Sequence, residues 1–426
     1  MSITNSLYIG ISGLQAHGDA ISVVGDNIAN TSTVGFKRSR ASFNDMLGGE
    51  LASLRLGGGV RNGGSQTMWE QGSIQNTGNP LDLAIRGSGM FVVKGQHDGQ
   101  DGQFYTRDGR FQLDNQGFVT NQDGLRLQGY TIDSTGLRAT SPGDLPLAAR
   151  QSPPVATTTA SMTLNLDANA VPPAAWDPTN PAATSNYATS QTVYDSLGAA
   201  HNVQVYFRSS GAGAWEWHAM VDGGELTGGT PGVPTEIADG TMTFNTSGAL
   251  AAQTTGTSSA SFVNAVPNQA IAFSFGDDIA AGGTGFAGST SFSGSSTVTT
   301  IDISGHGFGN LVDLAVSDNG TVQGLFDNGE RIDLAQVALA NFASEDGLER
   351  AGDGLVLETS ASGAALIDVA GSGARGAIVS GAVEGSNVDL GNELVTLIAY
   401  QRAFQANAKT VTTADEMMSE VNNLKR

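Results

Sequence analysis

The chain contains no cysteine among its 426 residues, and it has few basic side chains. The missing cysteines exclude disulfide bonds and cysteine-based metal sites. Only 20 Lys and Arg residues stand against 41 Asp and Glu, which gives a formal net charge of −21. A charge of this sign argues against non-specific binding to nucleic acid or to an anionic membrane surface. We therefore expect neither as a partner.

Long hydrophobic runs are also missing, so we expect no insertion into a membrane. The start of the sequence has no basic leader followed by an apolar block. The expectation is a protein without a cleaved signal peptide, either cytosolic or exported by a route that needs none.

No motif in the sequence indicates a reaction. A phosphate-binding Gly-Lys-Ser/Thr loop and a Gly-x-Ser-x-Gly elbow with a plausible partner histidine are both missing. Residues 97–102 faintly resemble a calcium loop, but they lack its alternating acidic ligands and favour a hairpin or an Ω-loop. The histidines lie far apart and without zinc-site spacing, at His17, His97, His201, His218 and His306. We predict that the chain is not an enzyme and has no catalytic, cofactor or metal site.

The two ends of the chain carry the same seven-residue apolar rhythm. Seven residues are close to two helical turns, so each set lines one face of a helix. A narrow stripe suits a helix that packs along other long helices, as in a coiled coil. Packing on the protein's own body is the alternative. The candidate self-assembly residues are Leu7, Ile11, Leu14, Ile21, Val24, Ile28, Leu390, Leu394, Leu397, Phe404, Val411 and Met418.

The first stripe predicts a helix over residues 3–29, and the second predicts one over residues 388–424. The first contains four glycines, each costing about 1 kcal/mol relative to alanine, so we expect it to fold on assembly. The second begins at a capping box from Ser386 to Asp389 and closes with Lys425 and Arg426, whose charge suits a helix C-terminus.

Between the helices, short alternating runs and closely spaced turns predict antiparallel β-structure. The fold class is mainly β with α-helical termini, in a nested multidomain arrangement. The helices form a coiled-coil-like inner domain, and antiparallel β domains lie outside it. Glycine clusters at 57–59 and 63–64 predict loops. The predicted divisions are a helical assembly domain (1–30 plus 386–426), a connecting segment (31–70 plus 361–385), a β domain (71–150 plus 306–360) and an inserted outer β domain (151–305).

Aromatic residues in the acidic middle of the chain support an alternative function. Trp176, Trp215, Trp217 and Tyr194 could form the binding face of a secreted β-rich adhesin or glycan-binding module. At alternating strand positions, however, aromatic side chains more often belong to the core.

Two segments resemble the terminal signatures of the bacterial flagellar rod and hook proteins. The first is Asn-Ile-Ala-Asn-Thr-Ser-Thr-Val-Gly-Phe-Lys at 27–37, and the second comprises 386–390, 393–395 and 401–409. In the body, residues 80–93, 194–201 and 336–342 are similar to the hook members of that family. The matching signature residues are Asn27, Asn30, Thr33, Gly35, Phe36, Lys37, Asn387, Asp389, Gln401, Arg402 and Asn407.

The resemblance implies a structural subunit of the extracellular flagellar hook. Many copies would form a curved, flexible tube that acts as a universal joint and transmits torque for motility. The terminal helices would line the inner tube. Other axial, cap and junction proteins and the type III export apparatus would be the partners. A straight distal-rod-type axial subunit is the alternative within the family.

Overall fold

The computed structural model describes residues 3–51, 54–133, 135–147 and 151–423. The chain divides into two compact units. Unit 1 comprises Met1–Arg150, Val312–Leu325 and Arg331–Arg426, and unit 2 comprises Gln151–Leu311 and Phe326–Glu330. Within the described ranges, no helix combines the length and apolar character needed to cross a membrane.

The first part of unit 1 contains one long helix followed by short strands. The elements are α1 (Ile3–Ala29), β1 (Ser39–Leu51), β2 (Leu54–Thr67), β3 (Ile74–Asn76), β4 (Leu83–Arg86), β5 (Met90–His97), β6 (Gln100–Thr106), β7 (Gln112–Leu113), β8 (Val119–Thr120), β9 (Arg126–Thr131) and β10 (Gly143–Asp144). The predicted helix over residues 3–29 is confirmed. The hairpin reading of residues 97–102 is also confirmed, because β5 and β6 pair around a turn at Asp98 and Gly99.

Unit 2 contains strands and two 3₁₀ turns. The strands are β11 (Gln151–Ser152), β12 (Thr159–Asn165), β13 (Tyr187–Tyr194), β14 (Ala200–Gly211), β15 (Ala214–Asp222), β16 (Pro234–Phe244), β17 (Leu250–Ala260), β18 (Gln269–Ala270), β19 (Ala272–Ser274) and β20 (Thr297–Ile303). The 3₁₀ turns are Pro181–Ala183 and Gly223–Glu225.

The remaining strands lead to the second long helix. They are β21 (Gly309–Val316), β22 (Thr321–Phe326), β23 (Arg331–Asn341), β24 (Glu349–Gly352), β25 (Leu355–Leu357), β26 (Leu366–Val369), β27 (Ala377–Ser380) and β28 (Ala382–Glu384), with a 3₁₀ turn at Glu345–Gly347 before β24. The helix, α2, spans Leu390–Asn423, which is about 50 Å at 1.5 Å per residue. The predicted closing pair, Lys425 and Arg426, lies outside the described residues.

Each unit has its own β core. In unit 1, strands follow one another in the order β22-β23-β9-β5-β6-β25-β24, and all these pairs are antiparallel. In unit 2, β13 to β18 form an antiparallel sheet in sequence order, and β19-β12-β20 form a second sheet. Side chains from both sheets of unit 2 share one apolar core.

Two of the four aromatic residues of the alternative glycan-binding face are buried, as expected for alternating strand positions. Trp215 and Trp217 lie in the core of unit 2, 2% and 0% exposed, because they occupy inward-facing positions of β15. Trp176 instead stacks on the ring of His218, with centroids 3.9 Å apart.

Residues 39–67 correct one expectation. The described parts, β1 and β2, pair as antiparallel strands where the glycine clusters predicted loops. Gly59, at φ +102°, shows why glycine is needed inside β2: a Cβ there would sit only 2.2 Å from the hydroxyl oxygen of Ser12 on α1. Glycine therefore lets the hairpin lie directly against the helix.

Candidate functional site: the helix pair and its polar junction

The two terminal helices pack against each other within one chain. Gly10 of α1 lies beside Val411 of α2, and Asn27 of α1 lies beside Glu393 of α2. Rising numbers on one helix thus meet falling numbers on the other, and the helices run antiparallel.

Small residues form the buried seam of α1. They recur at three- and four-residue spacing, which keeps them on one side of the helix. The amide of Asn407 fills the space above Gly13, which a Cβ would approach to 2.8 Å. Gly10 and Gly13, although weak helix formers, are therefore the residues that allow close packing. The buried positions are Gly10, Gly13, Ala16, Ala20, Val24 and Asn27.

The predicted apolar stripe of α1 flanks this seam. Of its members only Val24 is buried, at 4% exposure. Ile11 is 44% exposed, and Tyr8, which the rhythm missed, is 69% exposed. The half-buried members are Leu7, Leu14, Ile21 and Ile28.

The predicted stripe of α2 divides into two groups. Leu397, Phe404 and Val411 are half-buried, and the last two lie beside glycines of α1. Leu390, Leu394 and Met418 are exposed by 46%, 44% and 37%.

Further exposed apolar residues extend that second group. The seven-residue rhythm missed them because they lie beside its stripe. They are recognised as apolar side chains of a long helix that the rest of the described chain leaves exposed. They are Val395, Ile398, Met417 and Val421, with exposures of 68%, 50%, 48% and 53%. We call Leu390, Leu394, Val395 and Ile398 the open face of α2.

The start of α2 differs from the predicted capping box. Asp389 is the N-cap, because its Oδ1 accepts hydrogen bonds from the backbone N–H groups of Gly391 (2.9 Å) and Asn392 (3.2 Å). Ser386 lies before the helix, which begins at Leu390. The predicted start at residue 388 and the capping role of Ser386 are therefore wrong.

One buried carboxylate of unit 1 forms ion pairs with two buried cations. Glu384 accepts from Lys37 Nζ at 2.6 Å and from Arg107 Nη1 at 3.0 Å. The three side chains are 0%, 4% and 5% exposed. Burial lowers the pKa of Lys37, and this effect outweighs the attraction to Glu384, which favours the charged form. We call these three residues the ionic junction.

Asn27 connects the end of α1 to the hairpin and to α2. Its Nδ2 donates to the carbonyl oxygen of Ser39 (2.7 Å) and to Glu393 Oε2 (3.2 Å), while its Oδ1 accepts from Ser39 N (2.8 Å). Asn27 is fully buried, so all these bonds form away from water. One side chain thereby fixes three elements relative to each other.

Asn387 performs a similar task just before α2. Its Oδ1 accepts from Arg38 N at 2.7 Å, and its Nδ2 donates to the carbonyl oxygens of Met68 (2.8 Å) and Glu70 (3.0 Å). The segments that enter and leave the helix pair are thus joined through one amide.

The other N-terminal signature residues surround the junction. Gly35, at φ +70°, donates its N–H to the carbonyl oxygen of Glu384 at 2.7 Å, and a Cβ there would meet the backbone of Arg107 at 2.7 Å. Asn30 donates to Asp26, and Thr33 donates to Asn30. These contacts hold the turn that follows α1.

The last three signature residues are Phe36, Gln401 and Arg402. The guanidinium of Arg350 lies 5.6 Å from the ring centroid of Phe36. Gln401 and Arg402 are exposed on α2, outside the junction.

Sequence reasoning missed the centre of the junction. Neither Glu384 nor Arg107 was a candidate, because each pairs with a residue at least 277 positions away. The sequence signal is weak: Glu384 is the one charged residue of an apolar, glycine-flanked run, and Arg107 stands among other charged residues. In the described ranges, no three His, Asp or Glu side chains are grouped to hold a metal ion.

Four family models match successive parts of the chain. "Flagella basal body rod protein" matches residues 7–37, and "Flagellar hook protein FlgE/F/G D1 domain" matches 84–168. "Flagellar basal body protein FlaE D2 domain" matches 165–306, and "Flagellar basal body rod FlgEFG protein C-terminal" matches 379–424. The four matches thus include both terminal signatures and residues 84–306.

Full-length relatives give the same result. The flagellar hook protein FlgE of Salmonella typhimurium is 33% identical, over 97% of this chain and 98% of its own. That of Treponema pallidum is 32% identical over 99% of both chains, and that of Brucella abortus is 30% identical over 100% of both. The chain belongs to the flagellar hook protein FlgE family.

Proposed function

We propose that this chain is the subunit of a flexible, curved flagellar hook, and that the open face of α2 is covered by other copies in the tube. The exposed apolar residues of α2 carry the proposal. Leaving such large side chains in water is unfavourable, and covering the exposed half of each against a second helix would release about 1 kcal/mol per side chain. Contacts of this kind, repeated without closing a ring, generate a helical filament.

The proposal assigns a task to each part of the chain. Residues 1–30 and 386–426 form the assembly domain that lines the inner tube, and 31–70 with 361–385 connect it to the rest. Residues 71–150 with 306–360 form a β domain, and 151–305 form an outer one. In the tube, Asn27 and the ionic junction would transmit torque from the β domains to the helices, because their buried amide and ionic bonds resist rotation between them.

Localisation and partners follow from the same proposal. The chain is placed in the extracellular hook, after export by the flagellar type III apparatus without a cleaved signal peptide. It would contact other axial, cap and junction proteins at the ends of the tube. No catalytic step is part of this function.

Electron microscopy of the purified full-length chain tests the proposal. We expect tubes that curve, both from concentrated protein and on cells expressing the chain as the sole hook subunit. Straight tubes would favour the distal-rod alternative, and monomers under all conditions would contradict the assembly function itself.

A further inference from the structure

Unit 2 places one buried histidine, His201, between two carboxylates. The residue lies near the start of β14 and is 8% exposed. Its Nδ1 lies 2.6 Å from Oε2 of Glu225, and its Nε2 lies 3.4 Å from Oδ2 of Asp195. Among the described residues, these two are the charged groups in ion-pair contact with the ring.

The two contacts can be hydrogen bonds at the same time only if both ring nitrogens carry a proton. A neutral imidazole has one N–H group and one lone pair, so one nitrogen would face a carboxylate oxygen without a proton between them. The imidazolium donates from both nitrogens. The geometry around His201 therefore fits its charged form.

Asp195 is kept as a carboxylate by other donors. Burial raises its pKa, but the backbone N–H groups of Ala199 and Leu197, together with His201, lower the pKa further, so that it lies below its ordinary value. Both N–H groups donate to Oδ1, at 2.9 and 2.8 Å. Oδ2 faces His201, and a buried carboxylate oxygen without a donor is costly. Asp195 thus requires a proton on Nε2 of the histidine.

The ring of Phe262 favours the same charge state of His201. The two rings are stacked, with centroids 3.8 Å apart and planes inclined by 14°. A cation over the face of an aromatic ring is attracted by the negative charge of that face. The imidazolium therefore gains a second favourable contact that the neutral ring lacks.

The partners of His201 belong to three different connections between strands. Asp195 lies between β13 and β14, Glu225 between β15 and β16, and Phe262 between β17 and β18. Because β13 to β18 form an antiparallel sheet in sequence order, every second connection lies at the same end of the sheet. One ring therefore joins the three connections at that end.

These connections also contact each other and carry exposed apolar residues. Val263 N donates to the carbonyl oxygen of Glu225 at 3.0 Å, and Val266 N donates to Oγ of Ser196 at 2.9 Å. The exposed apolar residues are Leu197, Val263 and Val266. The order of this apolar surface thus depends on how firmly the connections are held together.

We propose that His201 is a pH-sensitive clamp of unit 2. The imidazolium holds the three connections together, whereas the neutral ring keeps only one of its two carboxylate contacts and lets them loosen. The inference concerns unit 2 alone, so it does not depend on the proposed tube. Because the folded state favours the charged ring, the stabilisation is complete below about pH 6.5, the ordinary value for histidine in an unfolded chain, and is lost at higher pH.

Thermal unfolding of the full chain at two pH values tests the clamp. Three of the four tryptophans lie in unit 2, so tryptophan fluorescence follows mainly its unfolding. His201→Gln removes one hydrogen bond between charged groups, so it should lower the midpoint by about 4 °C more at pH 5.5 than at pH 8.5. His306, in the same unit, forms no ion pair within the described ranges, and His306→Gln should change the midpoint equally at both pH values.

Hydrogen exchange localises the effect and needs no variant. After correction for the intrinsic rate, the backbone N–H groups of Leu197, Ala199 and Val263 should be less protected in the wild type at pH 8.5 than at pH 5.5, while those of β15 keep their protection. Protection of the three groups that does not depend on pH would overturn the clamp. A loss for His201→Gln that is equal at both pH values would also overturn it, because it would show that the ring acts by packing alone.

Discussion

Gly10 of α1 and Val411 of α2 are so close that a Cβ on the glycine would lie 2.8 Å from Cγ2 of the valine. Real Cβ atoms do not approach a neighbour so closely, and the β-branched valine has little rotamer freedom in a helix. The absence of a side chain at position 10 therefore sets the distance between the helices.

Gly10→Ala should destabilise unit 1 even though alanine is the better helix former. The steric conflict with Val411 costs about 1–3 kcal/mol, which exceeds the gain of about 1 kcal/mol in helix propensity. Thermal unfolding of the full chain, followed by helical circular dichroism, measures the balance. Gly25→Ala is the control: a Cβ there meets nothing within 4 Å, so that variant should be more stable. An equal rise in the thermal midpoint of both variants would show that α1 and α2 are not closely packed at Gly10.

Glu384→Gln should be among the most damaging single changes in unit 1. It leaves Lys37 and Arg107 buried without a carboxylate, and breaking a buried ion pair in this way costs about 3–5 kcal/mol. Denaturant titration gives the change in the free energy of unfolding. The exposed partner of Arg38 provides the control: Glu70→Gln should cost less than about 1 kcal/mol. A loss for Glu384→Gln as small as for the control would contradict the structural importance of the junction.

Acid should destabilise the turns in which an aspartate carboxylate accepts hydrogen bonds. The pKa of Asp133 is lowered because Thr135 Oγ1 and the backbone N–H groups of Leu137 and Thr135 donate to its carboxylate. A lowered pKa in the folded state means that the unfolded chain binds protons first. This stabilisation is complete above the ordinary pKa of about 3.9 and is lost as pH falls through the lower folded value.

Asp133→Asn tests that pH dependence. The variant should lose less stability than the wild type between about pH 5 and pH 2, because its side chain no longer titrates. Denaturant midpoints at several pH values in this window provide the measurement. If the denaturant midpoints of both proteins changed equally with pH, Asp133 would not contribute to the acid sensitivity.

Limited proteolysis checks whether the terminal helices are stabilised by assembly. The monomer should be cut early within 1–30 and 386–426, because exposed apolar residues of α1 and the open face of α2 lack the cover of other copies, while residues 71–360 resist. Mass spectrometry of the fragments identifies the cuts, and the polymer should be protected at the same positions. Uniform resistance of the monomer would show that the helices are already stable.

The sequence predicted the structural features that depend on the spacing of nearby residues. Apolar periodicity located α1 to the residue and α2 to within two residues of its start, and turn residues located the β-structure between them. The hairpin at 39–67 was missed because glycine is rare in strands, and only the approach of Ser12 to Gly59 explains its presence. Glu384 and Arg107 were missed because no local pattern connects residues hundreds of positions apart.

The helix seam shows the same limit. Heptad spacing identified the large apolar residues, but the buried positions of α1 are mostly its small ones. Which residues touch depends on how closely the backbones approach, and that is set by Gly10 and Gly13 together. In the proposed tube, the exposed parts of the large residues beside the seam would contact other copies.

The central claim, that other copies cover the open face of α2, is tested most directly by the polymerisation of Ile398→Asp. Ile398 is 50% exposed, so the variant should keep its helical circular dichroism and thermal midpoint, whereas sedimentation should show that it no longer forms polymer. Gln405→Asp, at an exposed position on the same helix, adds the same charge and should polymerise like the wild type. Normal polymerisation of Ile398→Asp would contradict the account.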